Sequence, residues 1–264
     1  MIDPTAQIHR SAVIEDGAAI GAGCIIGAFA LIGPDVTLAA GVEIKNHGVV
    51  TGWTRIDEGT IIHPFAVVGG PPQDLKYRGA KTQLVVGKNN RIREGATLNT
   101  GTEDGGGVTR VGDNCLFMTG AHVGHDVQVG NNVIMANQSA LAGHCIIADD
   151  VIIGGLSGIH QWVRIGRGAI IGAVTMVTAD VLPHALVQGP RGELAGLNLV
   201  GLKRRGVSRD DINALRVAFQ SMKDGEGSFQ DRVRRISEES PDSTYVRELT
   251  DFVLGATDRG YLTP

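Results

Sequence analysis

Large rings are scarce in this chain: aromatic residues make up only 4% of its 264 positions, so whatever core it buries must be mainly aliphatic. No apolar run approaches the roughly 20 residues needed to span a bilayer. The opening MIDPTAQIH has neither the charged nor the apolar region of a signal peptide. A cytoplasmic protein that does not cross a membrane is therefore expected. The chain also lacks a basic surplus, with 24 Lys and Arg against 28 Asp and Glu, and no nucleic-acid partner is expected without one. Three cysteines with no CxxC spacing fit reduced thiols rather than a disulfide framework. Glycine, in contrast, is abundant: 38 residues are about twice the usual share of roughly 7%, which implies many tight corners.

Those corners are periodic. Aliphatic residues recur at every sixth position from Ile2, Ile8 and Ile14 through Ile62 and Val68, resume at Val86, Ile92 and Leu98, and run again from Val111 and Phe117 to Ile171 and Val177. Two positions before each of them the residue is small or β-branched, as at Ala6, Ala18, Val36, Val42, Thr54 and Ala66. Cys24, Cys115 and Cys145 share that slot and read as buried space-fillers. A period of six matches neither the 3.6 residues of an α-helical turn nor simple strand alternation. It matches short strands joined by sharp corners, three per turn, which is the parallel β-helix that hexapeptide repeats signify.

Two stretches break the period, near 69–85 and 103–110. Both are expected to leave the prism as loops, where repeat proteins usually place binding surfaces. The hexads end near Pro183. Ser208 followed by Asp211 resembles a helix cap, with Ile212, Leu215, Phe219 and Met222 at helical spacing. Tyr245, Leu249, Phe252 and Val253 mark another helix, and KDGEGS at 223–228 a turn. The expected organisation is a hexapeptide-repeat parallel β-helix over 1–187 and a small C-terminal α-helical domain over 188–264, mainly β overall.

Three hexads per turn stack residues eighteen apart. His125, Gly143 and Gln161 then form one surface column, with His144 over Asp126 beside it, His160 adjoining Gln161 and His122 at the same corner. Histidine can take a proton near neutrality, and an exposed glycine N–H can stabilise an oxyanion. Together they are the kit for acyl transfer. The rival readings are a carbonic-anhydrase-like zinc enzyme using three of the histidines and a non-catalytic β-helical scaffold. The scaffold would not need this polar column.

PQDLKY at 72–77, NRIREGATLNTGT at 90–102, GAHVGHD at 120–126, GHCIIAD at 143–149, IHQWVRIG at 159–166 and GLNLVGLKRRG at 196–206 resemble the UDP-N-acetylglucosamine O-acyltransferase family, which draws its acyl group from acyl carrier protein in the first step of lipid A biosynthesis. The resemblance runs in order over essentially the whole chain. It implies a left-handed coil and a homotrimer with active sites between neighbouring prisms. The implied reaction passes an (R)-3-hydroxyacyl group from acyl carrier protein to the glucosamine 3-hydroxyl of UDP-N-acetylglucosamine, with no metal and no cofactor. By the same resemblance His125 is the general base, Asp126 orients it and the Gly143 N–H holds the oxyanion. Asp74, Lys76, His122, His144, His160 and Gln161 position sugar, phosphate or thioester, and Asn198, Arg204 and Arg205 hold the uridine diphosphate end. Ala173 and Met176, in a stretch that is richer in glycine in some members, are expected to shorten the acyl groove. The chain departs from the family pattern at Ala80, Pro190, Arg191 and Val200, which bears on nucleotide and acyl contacts. A hexapeptide-repeat N-acyl- or acetyltransferase acting on an amino sugar is the alternative. Repeats that begin at Ile2 speak against the N-acyltransferase of the same pathway, with its additional N-terminal domain.

Overall fold

The computed structural model describes every residue except Pro241, Ala256, Asp258 and Pro264. Most hexads become two-residue strands, such as Gln7–Ile8, Val13–Ile14 and Ala19–Ile20. In each the hexad aliphatic lies on the inside of the coil, and from Ile20 to Val177 every one of these residues is buried. The strands assemble into three sheets of eleven, nine and eight strands. We call them faces one, two and three, in the order in which the chain visits them. All pairings are parallel until the last, and the spacing is eighteen residues, as in His122 with Ala140, Ala140 with Gly158 and Gly158 with Met176. This is the hexapeptide-repeat parallel β-helix that the period requires. Cys24, Cys115 and Cys145 are buried in its interior. Burial pushes the Cys115 and Cys145 thiols up to about 11 and about 12, so neither forms a thiolate nucleophile near neutrality.

The corners need left-handed backbone, which glycine adopts without cost and other residues do not. Glycine or asparagine fills many of them, but Phe29, Phe65, Leu156, Trp162 and Val174 also have φ near +60°. Stacking along the edge offsets some of that cost. Phe29, His47 and Phe65 form a ladder with ring centroids 5.1 Å apart, and Trp162 lies flat on His144 at 3.8 Å.

Both breaks in the period leave the prism at the same edge, between faces two and three. The first separates strands Val67–Gly70 and Gln83–Val86, the second strands Thr97–Asn99 and Val108–Val111. Register widens accordingly: Val67 pairs with Thr97, thirty residues on, and Thr97 with His122, twenty-five residues on.

Past the hexads the chain forms strand Ala185–Gln188 and turns back as the antiparallel strand Glu193–Leu197, which the periodicity did not announce. Four helices follow: α1 (Leu199–Arg204), α2 (Arg209–Lys223), α3 (Phe229–Glu239) and α4 (Thr244–Leu254). Ser208 caps α2 as expected, and Ser228 with Asp231 forms a complete capping box on α3. The helices bury Ile212, Leu215, Met222, Val233, Val246, Leu249 and Val253.

One ion-pair cluster ties α4 to the prism. Glu248 receives two hydrogen bonds from Arg167, at 2.6 and 2.7 Å, and one from His184 at 3.1 Å. Burial raises the Glu248 carboxyl, but the Arg167 and His184 hydrogen bonds outweigh it and hold the group down to about 2. A depressed carboxylate stabilises the fold above its ordinary value near 4.5 and loses that contribution as pH falls toward about 2. Glu248→Gln is therefore expected to cost about 2 kcal/mol at pH 7, the buried-pair penalty discounted for partial exposure. The difference between variant and wild type in urea unfolding should shrink steadily between pH 4.5 and pH 2. A gap independent of pH would mean that packing, not charge, holds α4.

Candidate active site

Three successive corners on the edge between faces two and three carry His125 and Asp126, then Gly143 and His144, then Gln161 and Trp162. The eighteen-residue rule thus brings the predicted columns together. His125 Nδ1 lies 2.8 Å from Asp126 Oδ2. An ionised carboxylate only accepts, so Nδ1 carries the ring proton and Nε2 is left with its lone pair. The Asp126 carboxylate is 1% exposed and is held by the Thr102 N–H, at 2.8 and 3.0 Å to its two oxygens, and by the Thr102 hydroxyl at 2.6 Å. The Asp126 N–H donates to Thr109 Oγ1 at 2.8 Å.

Gly143 is buried rather than exposed, because the His125 ring lies against it. A Cβ on Gly143 would sit 2.4 Å from His125 Cε1 and 2.6 Å from Nε2. Among the described residues its N–H has no acceptor. His144 crosses His125 edge-on with centroids 4.9 Å apart, and its Nδ1 is 3.8 Å from Asp126 Oδ2.

His122 stands on strand His122–Val123 of face two, not at the corner as expected, and its Nδ1 pairs with Thr97 Oγ1 at 2.8 Å. The strand register explains the shift, since Thr97 is its partner in the coil before. Burial pushes both His122 and His144 below the ordinary histidine range; His125 adds to this in both, while Asp126 opposes it at His144. Both rings are therefore neutral at pH 7.

A cleft of about 520 Å³ opens on the face-two side, where His122, His125, Gly143, His160, Gln161 and Met176 meet. A second, of about 970 Å³, lies on the face-three side of the same edge, against Asp126, His144, Trp162, Arg164 and Arg259. Asp74 is half-buried and Lys76 exposed in the first loop, where Asp74 Oδ1 accepts from the Lys76 N–H at 2.9 Å. Their neighbour Gln73 reaches the first cleft. Arg259, from the C-terminal segment, donates to His160 Nδ1 at 3.2 Å.

Other expected site residues lie elsewhere. Asn198 is buried as the cap of α1; its Oδ1 accepts from the Gly201 N–H at 2.9 Å and its Nδ2 donates to the Gly168 carbonyl at 3.0 Å. Arg205 reaches His184 Nδ1 at 3.3 Å and lies against Gly168, on the edge between faces three and one. Arg204 is exposed. Ala173 sits exposed at the edge between faces one and two, whereas Met176 lines the first cleft. The departures Pro190 and Arg191 belong to the turn that docks on Met176: the Met176 N–H donates to the Pro190 carbonyl at 3.2 Å and the Gly192 N–H to the Met176 carbonyl at 2.8 Å.

Gln73, Thr102, Trp162 and Arg259 were not read from the sequence. Trp162 lies eighteen residues beyond His144 and was open to the same rule. The other three sit in loops or in the tail, where no period applies.

His125, Asp126 and His144 are the one cluster among the described residues with three possible metal-ligand atoms in reach, all within 4.8 Å. The donor set fits a metal poorly. His125 Nδ1 already donates to Asp126 Oδ2, which also accepts from Thr102, so an ion would have to displace those protons.

Comparison with known proteins gives a consistent result. A family model described as UDP N-acetylglucosamine O-acyltransferase, domain 2, matches residues 180–262, and the bacterial transferase hexapeptide model matches 11–46 and 109–143. The chain is 60% identical over 204 residues, 77% of each sequence, to an acyl-(acyl-carrier-protein)-UDP-N-acetylglucosamine O-acyltransferase of Paracoccus denitrificans. It is 48% identical over 263 residues to the protein of that name from Rhizobium johnstonii, covering 100% of this chain and 97% of the relative. The solved UDP-N-acetylglucosamine acyltransferase of Campylobacter jejuni superposes with a TM-score of 0.92 at 37% identity, covering 98% of this chain and 100% of that one.

Proposed function

Because the chain belongs to the acyl-(acyl-carrier-protein)-UDP-N-acetylglucosamine O-acyltransferase family, a family of left-handed parallel β-helices, we propose that it joins an (R)-3-hydroxyacyl group from acyl carrier protein to the 3-hydroxyl of UDP-N-acetylglucosamine, with His125 as general base. The observation that carries the reading is the oriented pair, with His125 Nδ1 2.8 Å from the buried Asp126 carboxylate and Nε2 left basic toward the cleft. In the reaction, Nε2 removes the sugar hydroxyl proton as the oxygen attacks the thioester carbonyl. The developing oxyanion takes the free Gly143 N–H. When the C–S bond breaks, the imidazolium returns its proton to the departing thiolate. Asp126 keeps the imidazole in the working tautomer throughout. His122 and His144, neutral by burial, serve as hydrogen-bonding groups for sugar or thioester beside Asp74, Lys76, His160 and Gln161.

Arg204 and Arg205 hold the uridine diphosphate end, and Asn198 positions them as the cap of α1. Arg205 lies on a different edge of the prism from His125. Active sites shared between neighbouring chains of a homotrimer would present both sets to one substrate. Among the described residues no helix is long and apolar enough to cross a membrane; on this reading it is the acyl carrier protein donor that places the enzyme in the cytoplasm.

The test is to incubate chelator-treated protein with UDP-N-acetylglucosamine and hydroxyacyl carrier protein and follow ester formation, with a 3-amino sugar nucleotide as the competing acceptor. Ester formed after chelation supports the reading, whereas turnover of the amino acceptor alone would replace it with N-acyl transfer. Acyl length is set, on this reading, where Met176 and the Pro190–Gly192 turn close the first cleft. Met176→Gly is expected to shift preference toward longer chains, Ala173→Gly to act less, and an acyl-length ladder that is unchanged in both variants rules out the groove assignment.

A further inference from the structure

The second loop, glycine-rich and outside every hexad, wraps the Asp126 carboxylate. Thr102 is 5% exposed and aims two donors at that group, its N–H and its hydroxyl. The direction of the hydroxyl proton is set by the loop itself. Thr102 Oγ1 accepts from the Gly105 N–H at 3.2 Å, so its own proton is directed at Asp126 Oδ2, 2.6 Å away. The Thr102 carbonyl in turn accepts from the Gly105 and Gly107 N–H groups at 3.2 and 2.8 Å, which closes the loop on itself.

The glycines are required by the close approach. A Cβ on Gly105 would lie 2.1 Å from Asp126 Cγ, and one on Gly101 would lie 2.4 Å from the Val108 nitrogen. Neither glycine is among the positive-φ residues, so at these two positions space, not backbone angle, excludes a side chain. A carboxylate this deeply buried needs donors to remain ionised. Among the described residues, and apart from the His125 ring proton, the donors to the Asp126 carboxylate all come from Thr102.

We propose that Thr102, held by the glycine loop 101–107, is a positioning residue for the reaction: it fixes the Asp126 carboxylate in the plane that orients His125. The proposal rests on the reading of His125 as base and extends it to a residue that touches neither substrate nor base. Its consequence is selective. Loss of the hydroxyl leaves the clefts and their lining residues in place but removes the shortest contact on Asp126 Oδ2, leaving that oxygen to the longer backbone N–H contact, so His125 samples orientations in which Nε2 misses the sugar hydroxyl. The effect falls on kcat rather than KM.

The experiment compares Thr102→Val, Thr102→Ser, Gly105→Ala and His125→Ala in steady-state ester formation. Wild type and Thr102→Val are also compared by the NMR signal of the His125 Nδ1 proton. Thr102→Val is expected to lower kcat roughly tenfold, the effect of one hydrogen bond to a charged group, with KM for both substrates within about twofold. Thr102→Ser should restore the rate. Gly105→Ala, which keeps the hydroxyl but pushes on the carboxylate, should lower kcat as Thr102→Val does, and the Nδ1 proton signal should move in Thr102→Val. Wild-type kcat and an unmoved signal in Thr102→Val, with His125→Ala slowed by about 10³-fold, overturn the role of Thr102 and leave the base assignment standing. Full turnover by His125→Ala removes the base assignment and this proposal with it.

Discussion

Replacing His125 with alanine is expected to lower turnover by about 10³-fold, the middle of the range for a general base, while the thermal midpoint stays near that of the intact protein. The ring sits at a corner, outside the aliphatic interior, with 13% of its side chain exposed, so its removal opens no cavity inside the prism. Asp126, to which the ring is hydrogen-bonded, keeps the three contacts from Thr102. A residual rate should remain, because the Gly143 N–H and the binding groups are untouched. Single-turnover ester formation, with substrate binding measured separately, distinguishes this from weakened binding. The neighbouring histidines do not replace the lost base: His122 is engaged by Thr97, and the His144 ring is stacked on Trp162. Turnover within tenfold of wild type would rule out His125 as the group that takes the proton.

Much of this site can be read from the chain because a β-helix converts sequence offset directly into spatial neighbourhood. Once the coil is known to hold eighteen residues, His125 must meet Gly143 and Asp126 must meet His144, and the registers of the strands before them place both pairs as expected. The same reasoning fixes the inner ladder, in which Phe117, Met135 and Ile153 lie one above another. Arithmetic fails where the chain leaves the lattice. Thr102 is twenty-four residues from Asp126, an offset set by the length of the second loop. Gln73 and Arg259 reach the clefts from a loop and a tail whose paths follow no period. The exposed Gly143 of the sequence reading is buried because offset alone says nothing about which way a neighbouring ring folds. His122 was placed at the corner for a similar reason: three residues before His125 is still strand. Asn198 shows the other limit, since a motif can name a residue while its amide is occupied at both ends within the chain.

The close approach of His125 to Gly143 makes a single added methyl group a severe test of the site. In Gly143→Ala the new Cβ would lie 2.4 Å from His125 Cε1, 2.6 Å from Nε2 and 3.0 Å from Nδ1, so the ring must swing away. Doing so stretches the 2.8 Å contact with Asp126, withdraws Nε2 from the sugar hydroxyl and screens the Gly143 N–H from the oxyanion. Displacement of about 1 Å in a reacting group costs on the order of 10²-fold, and loss of an oxyanion donor costs a similar factor. The expected fall in kcat is therefore at least about 10²-fold, although both original side chains of the pair remain. Backbone strain does not contribute, because Gly143 is not among the positive-φ residues. Gly70 supplies the control: it is buried near the same edge, with φ outside the left-handed region, and an added Cβ there meets nothing closer than 3.6 Å. Gly70→Ala should retain wild-type kcat and thermal midpoint. If Gly143→Ala turns over as fast as Gly70→Ala, the ring does not work from the position against Gly143, and the oxyanion must be held by another group on the edge between faces two and three.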